Sequence, residues 1–180
     1  MTSFKIEIEK LKHYKSNALN SSVITTLITG ASSGMGLLYA TYLADAGCDL
    51  LLVSNHEKEL DQFSEKLRIE YDVNVTALCL DLSRDDAAQQ LFLYCQNNNV
   101  AVDILINNAG MFFFHELDEE YSKKMELMLN LHVMTPSRMS QLFGEEMKKR
   151  KFGYIVLVSS MAARLPFPGI TTYSATKAYL

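Results

Sequence analysis

The chain has 180 residues, of which 48% are hydrophobic and 21% charged, a balance typical of one globular domain and not of disordered or fibrous proteins. Its formal net charge of -4 offers no basic surface, so we expect no nucleic-acid partner. No stretch is long and apolar enough to span a membrane, and the amino terminus lacks the apolar segment of a secretion signal, which predicts a cytoplasmic protein.

Apolar strand-like runs alternate with amphipathic helix-length segments, which predicts an α/β protein with a doubly wound parallel sheet in three α/β/α layers. Residues 1–20 are expected to form an appended helix or a loose arm, and residues 21–180 one domain. The predicted strands run from Val23 to Thr29, Asp49 to Ser54, Val73 to Leu80, Asp103 to Asn107 and Tyr154 to Ser159. The predicted helices run from Gly34 to Ala46, Glu57 to Glu70, Arg84 to Asn98, Asp118 into the 130s, Pro136 to Lys151, and Tyr173 to the end.

A glycine-rich turn, Thr29-Gly-Ala-Ser-Ser-Gly-Met-Gly36, joins the first predicted strand to the first predicted helix of the domain. Gly30 can take a positive φ, Gly34 removes a side chain where a pyrophosphate must approach the backbone, and Gly36 permits close packing of helix on strand. The free N–H groups of the helix start favour phosphate, and nearby hydroxyls can add donors, namely those of Thr29, Ser32 and Ser33. A turn with a serine cap and no ligand is the alternative.

The cysteines carry no sign of a metal site or a disulfide. Cys48, Cys79 and Cys95 are odd in number, have no metal-type spacing and fall in segments typical of strand or helix interiors. They are predicted to be buried free thiols in a reducing compartment, and no metal is expected.

Three side chains near the end of the chain form a candidate reaction centre. Tyr173 and Lys177 are four residues apart on one predicted helix and share a face, and Ser160 follows the last predicted strand. A phenol titrates near pH ~10, so it needs a neighbouring cation to exchange protons at neutral pH, and Lys177 can supply that charge. Ser160 could donate a hydrogen bond to a substrate oxygen. The alternatives are an exposed helix pair and a strand-end cap.

Four motifs in register give the chain a resemblance to the short-chain dehydrogenase/reductase family in its compact subtype. They are the glycine-rich turn, Asn107-Asn-Ala-Gly110, Ser160 and Tyr173-Ser-Ala-Thr-Lys177, and the likeness covers residues 23 to 180. The stretches Leu165-Pro-Phe-Pro and Thr172-Tyr-Ser-Ala-Thr-Lys are similar to those of hydroxysteroid dehydrogenases and long-chain 3-ketoacyl reductases. The resemblance implies a Rossmann-type fold, here lacking the last strands of the family, and an NAD(P)(H)-dependent oxidoreductase that interconverts a ketone or aldehyde and an alcohol.

The resemblance also implies roles for individual residues. Lys177 would hold the nicotinamide ribose, and Asn130 matches the asparagine that positions a water relaying protons to that lysine. His132 is interpreted as a packed or rim histidine and not a base, because Tyr173 fills that role.

Asn107 would tie adjacent strands together, and Asp81 matches the acid that contacts adenine. The full predicted cofactor-binding set is Thr29, Gly30, Ser32, Ser33, Gly34, Met35, Gly36, Ser54, Asn55, Asp81, Leu82, Asn107, Asn108, Ala109, Gly110, Tyr173 and Lys177. Asn130 could instead bend its helix, and Asp81 could be a loop aspartate at a helix start.

The end of the second predicted strand bears on the choice of cofactor, since an acid there favours NAD(H) and an arginine NADP(H). The chain has Ser54, Asn55 and His56, and Glu57 is interpreted as part of a capping box with Ser54. Because no carboxylate repels a 2'-phosphate at that position, NADP(H) is favoured over NAD(H).

Apolar residues follow two of the predicted strand ends and favour a lipophilic carbonyl or alcohol as substrate, although they could equally be core. They are Met111 to Phe114, Met161, Leu165 and Phe167.

Family members continue through further strands and a substrate-covering segment, and they pair through the helices that correspond here to Pro136 to Lys151 and the one starting at Tyr173. We therefore expect a piece of a longer product, homodimeric or homotetrameric when complete, or a chain that is poorly ordered near its end and nearly inactive. A non-catalytic nucleotide-binding regulator and an epimerase or dehydratase of the same superfamily are the alternative functions.

Overall fold

The computed structural model describes residues 3–19, 21–114 and 121–180, and its centre is a parallel sheet. Five strands align in the order β3-β2-β1-β4-β5. Their bounds are Thr25–Thr29 for β1, Asp49–Ser54 for β2, Val75–Cys79 for β3, Ile104–Asn107 for β4 and Tyr154–Leu157 for β5. The sheet turns from one winding direction to the other between β1 and β4, and the predicted doubly wound α/β fold is confirmed.

Helices fill the intervals between the strands, as the alternation of apolar and amphipathic segments predicts. They are α1 (Ser3–Leu19), α2 (Gly34–Asp45), α3 (Glu57–Tyr71), α4 (Ala87–Asn97), α5 (Tyr121–Leu129), α6 (Thr135–Arg150) and α7 (Thr171–Tyr179). A π-helical segment, Asn130–Met134, joins α5 to α6, and a short 3-10 turn, Met161–Ala163, follows β5. Asp118, the predicted start of the fourth helix, lies outside the described residues.

The core has one cluster on each face of the sheet, because successive strand side chains point to opposite faces. Ile28, Leu50 and Leu52 face the cluster that contains Leu43 of α2 and Leu60 of α3. On the other face, buried strand residues pack against helices α4 and α6; this cluster includes Leu27, Leu51, Leu105, Leu91, Met139 and Phe143. Full burial of one such side chain stabilises the fold by about 1.5–3 kcal/mol.

The leading segment, for which a helix or a loose arm is predicted, forms helix α1 and packs on the domain. Ile8 is buried in the first cluster, and Leu11 and Leu19 pack against it. Lys12 donates to the carbonyl oxygen of Ala46 at 2.7 Å, and Lys15 forms a buried ion pair with Asp103.

The edges of the sheet hold the largest departures from the predicted burial. Cys79 ends the edge strand β3 and is exposed, so the prediction of three buried thiols is wrong for it, whereas Cys48 and Cys95 are buried and free. At the other edge, the four side chains of β5 are 38–47% exposed.

Candidate active site

A cavity of about 570 Å³ opens at the carboxyl ends of the strands, beside the point where the winding direction changes. This volume is in the range of small-molecule and cofactor sites. The residues around it come from the turn after β1, the ends of β2, β3, β4 and β5, helix α5, the π-helical segment and helix α7. The predicted site residues among them are Gly30, Ser32, Ser33, Met35, Ser54, Asn55, Asp81, Leu82, Asn108, Ala109, Gly110, Tyr173 and Lys177.

The glycine-rich turn has the geometry that its spacing predicts. Gly30 has φ +65°, and a Cβ there would lie 2.8 Å from the Cα of Ala109. A Cβ on Gly36 would lie 2.1 Å from the carbonyl oxygen of Gly30, so only glycine lets α2 pack this closely on the strand. A Cβ on Gly34 would meet nothing within 4 Å, which leaves the backbone at the start of α2 open.

The start of α2 can receive an anion. Ser33 is the N-cap residue, yet its hydroxyl makes no capping hydrogen bond and lines the cavity. Free N–H groups and the positive end of the helix dipole favour phosphate at such a position. The residues present therefore fit the pyrophosphate of a dinucleotide.

Thr29 and Asn108 fasten β1 to the segment after β4. The Thr29 hydroxyl accepts from the backbone N–H groups of Asn108 and Ala109, each at 2.9 Å, and donates to the carbonyl oxygen of Ile106. The Asn108 amide donates to the carbonyl oxygens of Thr29 and Gly30 at 2.9 and 3.3 Å. The Thr29 hydroxyl is thus committed to internal partners, which corrects the prediction that it supplies a donor to a cofactor.

The strand-tying asparagine is Asn108, and the prediction of Asn107 for this role is wrong. The Asn107 side chain turns to the opposite layer, where its amide lies 3.5 Å from the hydroxyl oxygen of Ser140 in α6. Side chains alternate in direction along a strand, so two adjacent asparagines at a strand end reach different partners.

At the end of β2 the hydroxyl of Ser54 lies 2.7 Å from that of Ser32 and accepts from the backbone N–H of His56 at 3.2 Å. The predicted capping box is wrong, because His56 is the N-cap residue of α3 and Ser54 holds the glycine-rich turn instead. Asn55 and His56 are exposed at the cavity rim. None of these three side chains is a carboxylate.

Asp81 and Leu82, after β3, also line the cavity. One carboxylate oxygen of Asp81 accepts from the backbone N–H of Ser83 at 2.9 Å and from its hydroxyl at 2.7 Å. This turn delays the start of α4 to Ala87, three residues after the predicted Arg84. Asp81 therefore makes the loop contact of the alternative interpretation and also lines the cavity, and its contact with adenine stays a prediction.

Helix α7 presents Tyr173 and Lys177 to the same cavity. The Lys177 ammonium lies 5.9 Å from the centroid of the Tyr173 ring and donates to the carbonyl oxygen of Val158 at 2.9 Å. Lys177 is 5% exposed, and burial lowers the pKa of its ammonium below the ordinary value. The pairing of these two residues on one helical face, predicted from the i and i+4 spacing, is confirmed.

Ser160 lies three residues after the end of β5 and caps the 3-10 turn. Its hydroxyl oxygen accepts from the backbone N–H of Ala162 at 3.2 Å, so its own proton is free to be donated. Ser160 is not among the cavity-lining residues, whereas the neighbouring Ser159 lines the cavity and donates to the carbonyl oxygen of Lys177.

Asn130 and His132 of the π-helical segment have different surroundings, although they are only two residues apart in the sequence. Asn130 donates to a carboxylate oxygen of Asp85 at 2.8 Å and is not among the cavity-lining residues, and its role in proton relay stays a prediction. His132 is 1% exposed, and burial, followed by the charge of Lys177, lowers the pKa of its imidazole to about 4. The prediction of a packed histidine is confirmed, and its exclusion as a base stays a prediction. A histidine among the apolar residues of Leu131-His-Val-Met134 is the signal that could have drawn attention to it.

Apolar side chains stand next to Tyr173. The Phe112 ring packs edge to face on the Tyr173 ring at 5.0 Å between centroids, and Phe114 lies 6.5 Å from Phe167. Met161, Leu165 and Phe167 are largely exposed.

Two classes of site are not found in the part of the chain that the structure describes. It contains no group of three or more His, Cys, Asp or Glu side chains that could hold a metal ion. None of its helices is both long and apolar enough to traverse a bilayer.

The sequence profile described as short chain dehydrogenase matches residues 24–180, which is nearly the whole chain after α1. The chain belongs to this family. Among curated relatives, it is 28% identical over 159 residues to the very-long-chain 3-oxoacyl-CoA reductase of Mus musculus, an alignment that covers 86% of this chain and 50% of the relative. The chain thus spans about half the length of such relatives.

Solved structures of the family have the same fold. A short-chain dehydrogenase from Sphingobium yanoikuyae in complex with NADPH is 33% identical, with a TM-score of 0.81 over 87% of this chain and 61% of that one. The bulky-bulky ketone specific alcohol dehydrogenase from Comamonas testosteroni is 29% identical, with a TM-score of 0.81 over 87% of this chain and 63% of that one.

Proposed function

We propose that the protein is an NADP(H)-dependent oxidoreductase that interconverts a carbonyl compound and an alcohol. The observation that carries this proposal is a single cavity bounded at one end by the open start of α2 and at the other by Tyr173 and Lys177. One end fits a pyrophosphate, and the other end is formed by two side chains that can exchange a proton with a substrate. Hydride transfer to a carbonyl requires this arrangement.

A bound nicotinamide cofactor supplies or accepts the hydride. The phenol of Tyr173 gives its proton to the substrate oxygen during reduction and takes it back during oxidation. The Lys177 ammonium favours the phenolate by its charge, and its contact with Val158 fixes it beside the ring. Ser160 donates its free proton to the substrate oxygen as negative charge develops there, while Ala162 holds its oxygen in place.

The preference for NADP(H) rests on the end of β2. An acid at this position would repel a 2'-phosphate, whereas Ser54 and Asn55 can donate hydrogen bonds to one. Ser54 also contacts Ser32 of the phosphate-binding turn, which couples ribose recognition to the start of α2. The Sphingobium relative holds NADPH, in agreement with this preference.

The substrate is proposed to be lipophilic. Phe112 and Met111 line the cavity on the Tyr173 side, and Phe112 contacts the Tyr173 ring. Aromatic and aliphatic side chains at the mouth of a cavity favour an apolar ligand. Relatives named for very-long-chain 3-oxoacyl-CoA and for bulky ketones support this class.

The decisive experiment follows the loss of NADPH absorbance when the full-length protein meets a panel of lipophilic ketones. Tyr173→Phe removes only the phenolic oxygen, so turnover should fall by about 10²- to 10⁴-fold while NADPH affinity is retained. Tyr179→Phe, on the exposed end of the same helix, is the matched control and should keep its activity. Full activity in Tyr173→Phe would remove the proposed proton donor, and NADPH binding without turnover of any carbonyl would favour a regulatory nucleotide-binding protein.

A further inference from the structure

His132 uses both nitrogens of its buried ring. Its Nε2 lies 2.9 Å from the backbone nitrogen of Met111, and because an N–H can only donate, Nε2 is the acceptor. Nδ1 must then carry the proton of the neutral ring, and it lies 2.9 Å from the hydroxyl oxygen of Thr176. The tautomer is thereby fixed by the two partners.

These contacts connect two parts of the active site that are far apart in sequence. Thr176 donates its own hydroxyl proton to the carbonyl oxygen of Tyr173 at 2.8 Å. A continuous chain of hydrogen bonds therefore runs from the Met111 backbone through His132 and Thr176 to the backbone of Tyr173. The His132 ring also packs edge to face on the Tyr173 ring, with 5.7 Å between centroids.

The position beside Gly110 shows how closely the imidazole approaches the reaction centre. A Cβ built on Gly110 would lie 3.1 Å from Nε2 of His132 and 3.5 Å from Nζ of Lys177. The imidazole, the glycine backbone and the ammonium thus surround one small volume. A protonated ring would repel Lys177 and lose its acceptor for the Met111 N–H, so the structure requires a neutral imidazole.

The local backbone contributes to this placement. His132 is the central residue of the π-helical segment Asn130–Met134, whose wider turn differs from the α-helices on both sides. Single π-helical turns inside α-helices are frequent at functional sites. Here the turn directs His132 to the interior, while Asn130 of the same segment contacts Asp85 instead.

We propose that His132 is a positioning residue that holds the Gly110–Met111 backbone and the Tyr173–Lys177 helix at a fixed separation beside the nicotinamide end of the cavity. This inference rests on the proposed function and deepens it. His132 transfers no proton; it sets the geometry in which Tyr173 does. Small displacements of reacting groups cost up to about 10²-fold in rate, so loss of this connection should be measurable.

The test compares three variants of the full-length protein. His132→Leu removes both hydrogen bonds, His132→Gln can restore an acceptor near the Nε2 position, and His13→Leu makes the same chemical change at an exposed site in α1. We expect His132→Leu to lower kcat by about 10- to 100-fold and to shift the pH profile of kcat, with a smaller change in the KM for NADPH. His132→Gln should recover part of kcat, and His13→Leu should match the unaltered protein.

A second measurement does not depend on turnover. Hydrogen exchange, recorded without cofactor, should become faster in residues 108–114 and 171–179 of His132→Leu and stay unchanged in His13→Leu. Unchanged exchange in both segments, or a folded His132→Leu protein with the original kcat and pH profile, would overturn the proposal. An unaltered protein that turns over no carbonyl would refute the proposed function separately, because the exchange result would still decide the role of His132.

Discussion

The ion pair between Lys15 and Asp103 joins α1 to the sheet and offers a direct test of how that helix is held. The Lys15 ammonium lies 2.6 Å from a carboxylate oxygen of Asp103 and also donates to the carbonyl oxygen of Val23. Asp103 is fully buried, and the same carboxylate oxygen accepts from the backbone N–H of Thr25 at 2.9 Å. The nearest other cation is Arg150, at 3.9 Å from the second oxygen.

Substitution of Lys15 by Ala should therefore lower the free energy of unfolding substantially. Removing one partner of a buried pair leaves the other charge without compensation, which costs about 3–5 kcal/mol. Arg150 and the Thr25 N–H remain near Asp103 and offset part of this loss, so we place the expected value at the lower end, about 3 kcal/mol. Double substitution with Asp103→Asn should recover part of the loss, since no buried charge then remains.

Urea unfolding followed by far-ultraviolet circular dichroism measures this difference directly. Lys10→Ala is the matched control, because Lys10 pairs with Glu7 on the exposed side of the same helix, at 2.6 Å, and such pairs contribute about 0–1 kcal/mol. A Lys15→Ala protein within about 1 kcal/mol of the unaltered protein would refute the reasoning that the pair secures α1. Equal losses in the two single variants would point to helix propensity as the cause.

Three further predictions concern the site. Asn55→Asp should weaken NADPH binding relative to NADH and Asn55→Arg should strengthen it, measured by fluorescence titration; the same ratio in both would exclude this residue from 2'-phosphate recognition. Gly36→Ala should destabilise by at least about 1–3 kcal/mol because its Cβ would meet the Gly30 carbonyl at 2.1 Å, whereas Gly144→Ala, whose Cβ meets Ile155 at 3.5 Å, should be neutral or stabilising in urea unfolding. The pKa of His132 is about 4 in the folded state and 6.5 in the unfolded state, so between these pH values only the unfolded state binds the proton. The free energy of unfolding should therefore fall as the pH drops through that window, by at most ~1.4 kcal/mol per pH unit. The His132→Gln protein should lack this contribution.

The cofactor end of the site could be predicted from the sequence because its determinants are local. Gly30, Gly34 and Gly36 lie within seven positions, and each backbone requirement follows from the spacing. Strand β2 matches its predicted bounds at both ends, since its four central residues are all apolar and the residues beyond Ser54 are polar. The pairing of Tyr173 with Lys177 is likewise a consequence of helical periodicity.

The predictions that failed depend on contacts between distant segments. Ser54 and Glu57 have the spacing of a capping box, yet the Ser54 hydroxyl forms its hydrogen bond with Ser32, 22 residues earlier. Thr29 and Asn108 form hydrogen bonds with each other although they are 79 residues apart, and no local sequence pattern predicts this contact. Cys79 is exposed because β3 is an edge strand, and strand order is a property of the whole sheet.

The two halves of the site therefore differ in how they are specified. The half proposed to bind phosphate is built by one turn and the strand beside it. The reaction half is assembled from the segment after β4, the π-helical turn, the end of β5 and helix α7, held together by His132, Ser159 and Lys177. Because three of these contacts involve helix α7, their effects on turnover should not be additive, whereas substitutions in the glycine-rich turn should act on cofactor affinity and, as at Gly36, on stability. A substitution at His132 combined with one at Ser159 should thus cost less than the sum of the two.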